Sequence, residues 1–188
     1  VSPQAINESL TQNNGKLIVN GVLQRAEAKN QNGRVYPKET LMREAKKYSQ
    51  EFIAERRALG ELDHPDSSVV NLNNVSHNVL DMAWKGNDLV GTVEVLSTPS
   101  GNILKELFKS GIRLGISSRG MGSVKEVMRE GDSTLQVQPD FELVAFDFVS
   151  NPSTHGAFLS PVNESKGSSA IDKYAKVNKI ITDIITEF

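Results

Sequence analysis

Val75-Ser76-His77-Asn78-Val79-Leu80-Asp81-Met82-Ala83-Trp84-Lys85-Gly86-Asn87-Asp88-Leu89-Val90-Gly91-Thr92-Val93-Glu94-Val95-Leu96 decides the fold class. Two β-prone runs, 75–84 and 89–96, flank a short turn-forming segment, the pattern of an antiparallel hairpin. In the second run Leu89, Gly91, Val93 and Val95 fall on alternate positions, the period of a half-buried strand. His77 shares the face of Val75 and Val79, so it reads first as a packed residue.

On the N-terminal side, Lys16 to Ala28 carries Leu17, Ile18, Val19, Val22 and Leu23, a strand pair or one strand bent around Gly21. Asn30-Gln31-Asn32-Gly33 is a turn signal, and the segment lacks the glycine spacing and the Lys-Ser/Thr of a phosphate loop. Pro37 opens a helix whose stripe, Leu41, Ala45, Tyr48 and Phe52, predicts an end near Leu59-Gly60. Residues 1–15, rich in Ser, Gln and Asn, are expected to be a mobile tail.

On the C-terminal side, Thr98-Pro99-Ser100 starts a short helix with Ile103, Leu104, Leu107 and Phe108 on its apolar face, stopped by Gly111. Leu114 to Met128 reads as strand, broken by Gly120 and Gly122. Strands at Ser133–Val137 and Glu142–Val149 follow. Residues 162–169 read as a linker and 170–188 as an amphipathic helix, which leaves 16–161 as the globular domain. About seven strands and three helices without a βαβ rhythm predict an α+β fold, an antiparallel β-barrel or sandwich flanked by helices.

Composition narrows the chemistry. With 21 Lys and Arg against 23 Asp and Glu, the net charge of -2 offers no basic field for nucleic acid. No apolar stretch is long enough to span a membrane. The absence of cysteine excludes a thiolate nucleophile, a disulfide frame and a cysteine zinc site, and three histidines argue against any metal centre. No cofactor is expected.

What remains is hydroxyl chemistry. A serine is a poor nucleophile unless an imidazole takes its proton. His64, in Gly60-Glu61-Leu62-Asp63-His64-Pro65, and Ser117, in Gly115-Ile116-Ser117-Ser118-Arg119-Gly120, stand at the edges of turn-prone segments. A capping histidine and a turn serine are the plain alternative. Ser117 and Ser118, adjacent on a strand, face opposite ways, so only one can meet the histidine. Arg119, by side chain or backbone N–H, and Gly120 are placed to hold a developing oxyanion. Asp147, inside Leu143-Val144-Ala145-Phe146-Asp147-Phe148-Val149, is costly to bury without a partner, and a histidine N–H would serve.

Read together, Gln24-Arg25-Ala26-Glu27, Asn32-Gly33-Arg34-Val35-Tyr36-Pro37, Ala58 to Pro65, Trp84 to Asp88 and Gly115 to Ser123 resemble, in order, the prohead core proteases of tailed myoviruses. The resemblance runs from about Val19 to Pro161. It implies a serine endopeptidase inside the immature capsid, in the host cytoplasm, that cuts scaffold and capsid proteins and itself. The implied fold is similar to that of herpesvirus assemblins. The family histidine falls on His64 and the serine on Ser117. Asp147 is taken as the third member, with His77 and His155 as alternatives because the herpesvirus relatives use a second histidine.

The family pattern of cleavage is after glutamate, with Leu or Ile two residues before it and a small residue after. It marks Glu8-Ser9 as a self-cleavage site, and Glu164-Ser165, preceded by Val162, as a slower one. A homo-oligomer is compatible with this reading. The rival is a non-catalytic β-barrel of scaffold or tube type that assembles with other virion proteins.

Overall fold

A computed structural model describes residues 2–162. The expected linker and C-terminal helix, with Glu164 and Ser165, therefore lie outside the described residues, apart from Val162. The elements run α1 (Pro3–Gln12), β1 (Leu17–Arg25), β2 (Arg34–Val35), α2 (Lys38–Tyr48), β3 (Leu59–Glu61), β4 (Val75–Lys85), β5 (Asp88–Val95), α3 (Pro99–Lys109), β6 (Gly115–Met121), β7 (Val124–Arg129), β8 (Asp132–Val137), β9 (Glu142–Val149) and β10 (Ser160–Pro161).

The β4–β5 hairpin lies within the five-stranded sheet, the largest among the described residues. Trp84 pairs Leu89 and Lys85 pairs Asp88 across a two-residue turn, in which Gly86 takes φ 61°. β1 lies on the other edge of β5 as one strand, with a register shift between Val22 and Gln24 rather than a break at Gly21. The sheet order is β10-β1-β5-β4-β3. A second sheet runs β2-β8-β7, with β2 parallel to β8, and β6 pairs β9 alone. The ladders thus draw three sheets in an α+β fold. Single bridges, Leu62 to Phe148 and Gly115 to Phe158, tie the β6–β9 pair to segments flanking the two edge strands of the large sheet.

Apolar side chains of β1 and β5 meet α3 and β9 in one core. Leu17, Val19, Leu23, Val93, Leu104, Phe108, Phe146 and Phe148 are all fully buried. The Phe108 ring stands edge-on to Phe148 at 5.8 Å, and Tyr48 edge-on to Phe146 at 5.6 Å. Thr98 caps α3 by accepting the Gly101 N–H, while its hydroxyl donates to the Val75 carbonyl.

Two sequence expectations change. Residues 2–12 are not part of a mobile tail: Ser2 caps α1 by accepting the Ala5 N–H at 3.2 Å, Pro3 opens the helix, and Ile6 and Ser9 are buried. The Ser-Pro start is a helix signal that outweighs the polar composition. The second helix does not reach Leu59. α2 ends at Tyr48, a π-helical turn continues over Ser49–Ile53, and Arg56 at φ 57° reverses the chain into β3.

β3 approaches the core so closely that its middle residue can only be glycine. A Cβ on Gly60 would lie 2.0 Å from the Phe146 carbonyl oxygen and 2.2 Å from His77 Nε2. Gly60→Ala is therefore expected to cost about 3 kcal/mol, the upper end for overpacking, because it must separate β3 from β9. Urea unfolding read as a fall in midpoint at constant slope checks it.

Candidate active site

Ser117 and Asp147 are direct partners in the β6–β9 ladder, so their side chains leave the sheet on the same face. Ser118 pairs Phe146 one step on. Its hydroxyl accepts from Gln24 Nε2 at 2.7 Å, and Thr154 Oγ1 donates to Gln24 Oε1 at 2.6 Å. One serine of the pair is thus held in a structural network. The other, Ser117, has its Oγ 3.2 Å from Ser153 Oγ.

His64 arrives from β3. Leu62 bridges Phe148, and the Asp63 N–H donates to the Phe148 carbonyl at 2.8 Å. Asp63 takes φ 66°, a left-handed geometry that aspartate tolerates, and this turn delivers the next side chain to Asp147. His64 Nδ1 lies 2.7 Å from Asp147 Oδ2. The imidazole itself is 40% exposed, so its other nitrogen is open to a reactant. His64, Ser117 and Ser153 line one cleft of about 340 Å³.

Asp147 is fully buried, and both its oxygens are saturated. Oδ1 accepts the Glu61 N–H at 3.0 Å and Arg119 Nη2 at 3.2 Å; Oδ2 accepts Arg119 Nε at 2.9 Å beside His64. Burial pushes the carboxyl upward. The hydrogen bonds from His64, Glu61 N–H and Arg119, with the guanidinium charge, outweigh it and hold Asp147 below the ordinary carboxylate range.

This corrects the reading of Arg119. Its guanidinium is not free for an oxyanion: Nη2 also donates to Glu61 Oε2 at 3.0 Å, and Nη1 to the Ser67 carbonyl at 2.9 Å. It is the buried counter-ion of Asp147 and Glu61, and it pins the 66–69 loop. Glu61 Oε2 accepts the Asn71 N–H at 3.2 Å and so holds the far end of that loop. Gly120 lies in the cleft where the β6–β9 register shifts, which leaves the backbone of this segment as the candidate oxyanion donor.

Sequence reasoning missed Glu61 and Ser153. Glu61 had a signal, an acid in the run Leu59-Gly60-Glu61-Leu62 that burial would force to find a cation.

The two alternative histidines sit apart from this arrangement. His155 is exposed in a loop. His77 is fully buried, with Nε2 2.7 Å from the Phe146 carbonyl and Nδ1 2.7 Å from Ser76 Oγ. The carbonyl can only accept, so Nε2 carries the proton and Ser76 donates to Nδ1. The Glu8-Ser9 bond lies within α1, and Ser9 Oγ donates to the Val162 carbonyl at 2.8 Å. It is not the extended, accessible segment expected. Among the described residues no group of three or more His, Asp or Glu side chains could hold a metal ion.

Ser117 and Asp147 share one face of a strand pair and His64 binds Asp147; no hydrogen bond joins Ser117 to His64, but all three residue types that serine hydrolases use come to this one region. Comparison with known proteins narrows this. Residues 4–167 match the family described as prohead core protein serine protease, and the chain belongs to that family. It is 35% identical over 159 residues to the prohead core protein protease of Enterobacteria phage T4, covering 82% of this chain and 74% of that protein. Its structure is similar to that of the bacteriophage T4 capsid assembly protease, with a TM-score of 0.65 and 32% identity, covering 70% of this chain and 80% of that one.

His77 makes stability depend on pH. Burial, partly offset by the Phe146 carbonyl and Asp147, lowers its pKa from 6.5 to about 4. Between those values the unfolded chain binds a proton that the native state refuses, so stability falls as pH drops from 6.5 towards 4. The expected loss is roughly 3 kcal/mol. Urea midpoints of the wild type and His77→Gln across this window check it: the variant, whatever its stability at pH 7, lacks this part of the slope.

Proposed function

We propose that the chain is a serine endopeptidase of capsid maturation. It acts inside the phage prohead in the host cytoplasm, on scaffold and capsid proteins. The observation that carries this reading is the 2.7 Å contact between His64 Nδ1 and a buried Asp147 whose remaining lone pairs are all occupied. A saturated, ionised aspartate fixes the imidazole's tautomer and leaves Nε2 as the proton acceptor. Ser117 attacks the peptide carbonyl as His64 takes its proton. His64 then returns that proton to the leaving amine, and water repeats the cycle on the acyl-enzyme.

Charge supports the same roles. Asp147 and Glu61 together carry two negative charges against the single positive charge of Arg119. The excess negative charge lies beside the imidazolium that forms in the transition state. Backbone N–H groups of the Arg119-Gly120 segment would hold the oxyanion. Ser117 Oγ now shares a hydrogen bond with Ser153, and a rotation about χ1 turns a serine hydroxyl between partners. A non-catalytic assembly protein would have no use for this cradle around His64.

Cleavage is proposed after glutamate, with Leu or Ile two residues before it and a small residue after. Ser117→Ala is expected to abolish cutting of such a peptide and labelling by a fluorophosphonate probe. Ser118→Ala keeps measurable activity, at a cost of about 1 kcal/mol in stability for the Gln24 amide left without its acceptor. A dead Ser118→Ala beside an active Ser117→Ala would reverse the assignment.

Self-processing after Glu8 belongs to the same reading, and after Glu164 by sequence pattern alone. Proteases bind extended backbone, so the Glu8-Ser9 bond must wait for α1 to unravel. A free peptide of residues 1–15 is expected to be cut at least about tenfold faster than the same bond in the folded chain, the factor set by a helix-opening cost above about 1.4 kcal/mol. Intact-mass spectrometry with Ser117→Ala as control checks this; equal rates would mean that α1 gives no protection.

A further inference from the structure

The cleft that holds Ser117 and His64 carries basic side chains in its lining, while the carboxylates of Asp147 and Glu61 lie behind it. His64, Arg119 and Arg34 line it, and no aspartate or glutamate does. Arg119 is consumed by Asp147 and Glu61, and His64 is bound to Asp147. Arg34 differs. Its backbone N–H donates to Asn30 Oδ1 at 3.0 Å and its carbonyl accepts the Asn30 N–H at 2.9 Å, but its guanidinium has no hydrogen bond or ion pair with any described residue. Arg25 is paired with Asp88, Lys29 with Asp132 and Arg129 with Glu27, while Lys125 on β7 has no partner among the described residues but does not line the cleft. Of the two guanidinium groups that line the cleft, Arg34 is the one without a counter-ion among the described residues, and so the one able to take an anionic group of a ligand.

The backbone holds Arg34 there with care. β2 is two residues long and lies parallel to β8, with Arg34 opposite Leu135. Val35 is buried beneath it while Arg34 stays exposed. The turn before β2 is tied to the nucleophile: Gln31 N–H donates to the Ser153 carbonyl at 3.0 Å, and Ser153 Oγ touches Ser117 Oγ. Beside Arg34 the cleft has an apolar wall of Val137, Tyr36 and Phe141, the two rings edge-to-face at 5.3 Å. A side chain with an apolar stem and a carboxylate tip fits that pairing of wall and cation.

We propose that Arg34 is the specificity-determining residue of this cleft, its guanidinium taking the side-chain carboxylate of the substrate residue next to the scissile bond. The proposal rests on reading the cleft as a peptidase site. A guanidinium can meet a carboxylate through two parallel N–H donors, which neither a neutral amide substrate nor a lysine in place of Arg34 can reproduce.

A synthetic peptide of residues 1–15 contains a single acidic residue, Glu8, so the peptide with Gln at that position removes the one side-chain carboxylate. The wild-type chain is expected to prefer the Glu peptide over the Gln peptide by about 30-fold in kcat/KM, the value of a charge-assisted hydrogen-bond pair. In Arg34→Gln that ratio falls to near one, and in Arg34→Lys it lies between. A ratio that stays at its wild-type value in Arg34→Gln overturns the proposal, even if both rates fall, because a merely structural arginine would lower both alike. Binding of the same peptides to Ser117→Ala, with and without Arg34→Gln, separates the two readings by fluorescence anisotropy. Arg34-dependent preference for the Glu peptide without cleavage by the wild type would remove the peptidase reading and keep Arg34 as the carboxylate site. Absence of Glu-over-Gln preference in both assays would remove Arg34.

Discussion

The Arg119–Asp147 ion pair is the constraint around which this molecule is arranged. Both side chains come from the β6–β9 pair and both are buried, so neither charge has water to fall back on. Removing one partner of such a pair leaves an uncompensated charge, a loss on the order of 3–5 kcal/mol. The pair therefore requires the rest of its shell: Glu61 to share the guanidinium, the Glu61 N–H to fill the last site on Asp147 Oδ1, and loop carbonyls to take Nη1. Each of these comes from the β3 side of the fold. The polar network consequently does what the single Leu62–Phe148 bridge could not, locking the β6–β9 pair against the segment that carries His64.

This arrangement separates holding from reacting. The groups that are deeply buried, Asp147, Arg119 and Glu61, are saturated with partners and have no room to move. The groups left partly open, His64 and Arg34, are those whose proposed tasks need a substrate. Ser117 lies between, with a weak partner in Ser153 that it can give up. The second serine is treated in the opposite way, its hydroxyl tied through Gln24 to Thr154. Two adjacent residues of one type thus have different chemistry only because a strand sends them to opposite faces.

His77 illustrates how a residue of the right kind is excluded by its surroundings. It stands on β4 opposite Gly60 and its ring packs edge-on against Phe148 at 4.7 Å. Its two nitrogens are spent on Ser76 and the Phe146 carbonyl, and burial disfavours its charged form. A histidine that is fully buried, has both nitrogens engaged and does not line the cleft is a structural element.

Elements with strong local signals can be read from the amino-acid sequence. The β4–β5 hairpin, the capped α3 and the bounds of β9 are legible because turn chemistry, capping and period-two alternation act over a few residues. Family resemblance in ordered blocks picked out His64, Ser117 and Asp147. The helix at Pro3–Gln12 was legible in Ser2-Pro3 and was obscured by a polar composition whose few apolar positions are buried only once the helix docks. Other features, which no local pattern encodes, come from the packing of segments distant in the chain. That packing paired Ser117 with Asp147 across a ladder and brought Glu61 under Arg119. It also turned Arg119 from an open cation into a buried one while leaving Arg34 in the cleft without a partner. The physical reason is that a charge has no fixed role in sequence. Its role is set by which opposite charges the fold brings within hydrogen-bonding distance and how much water remains beside it.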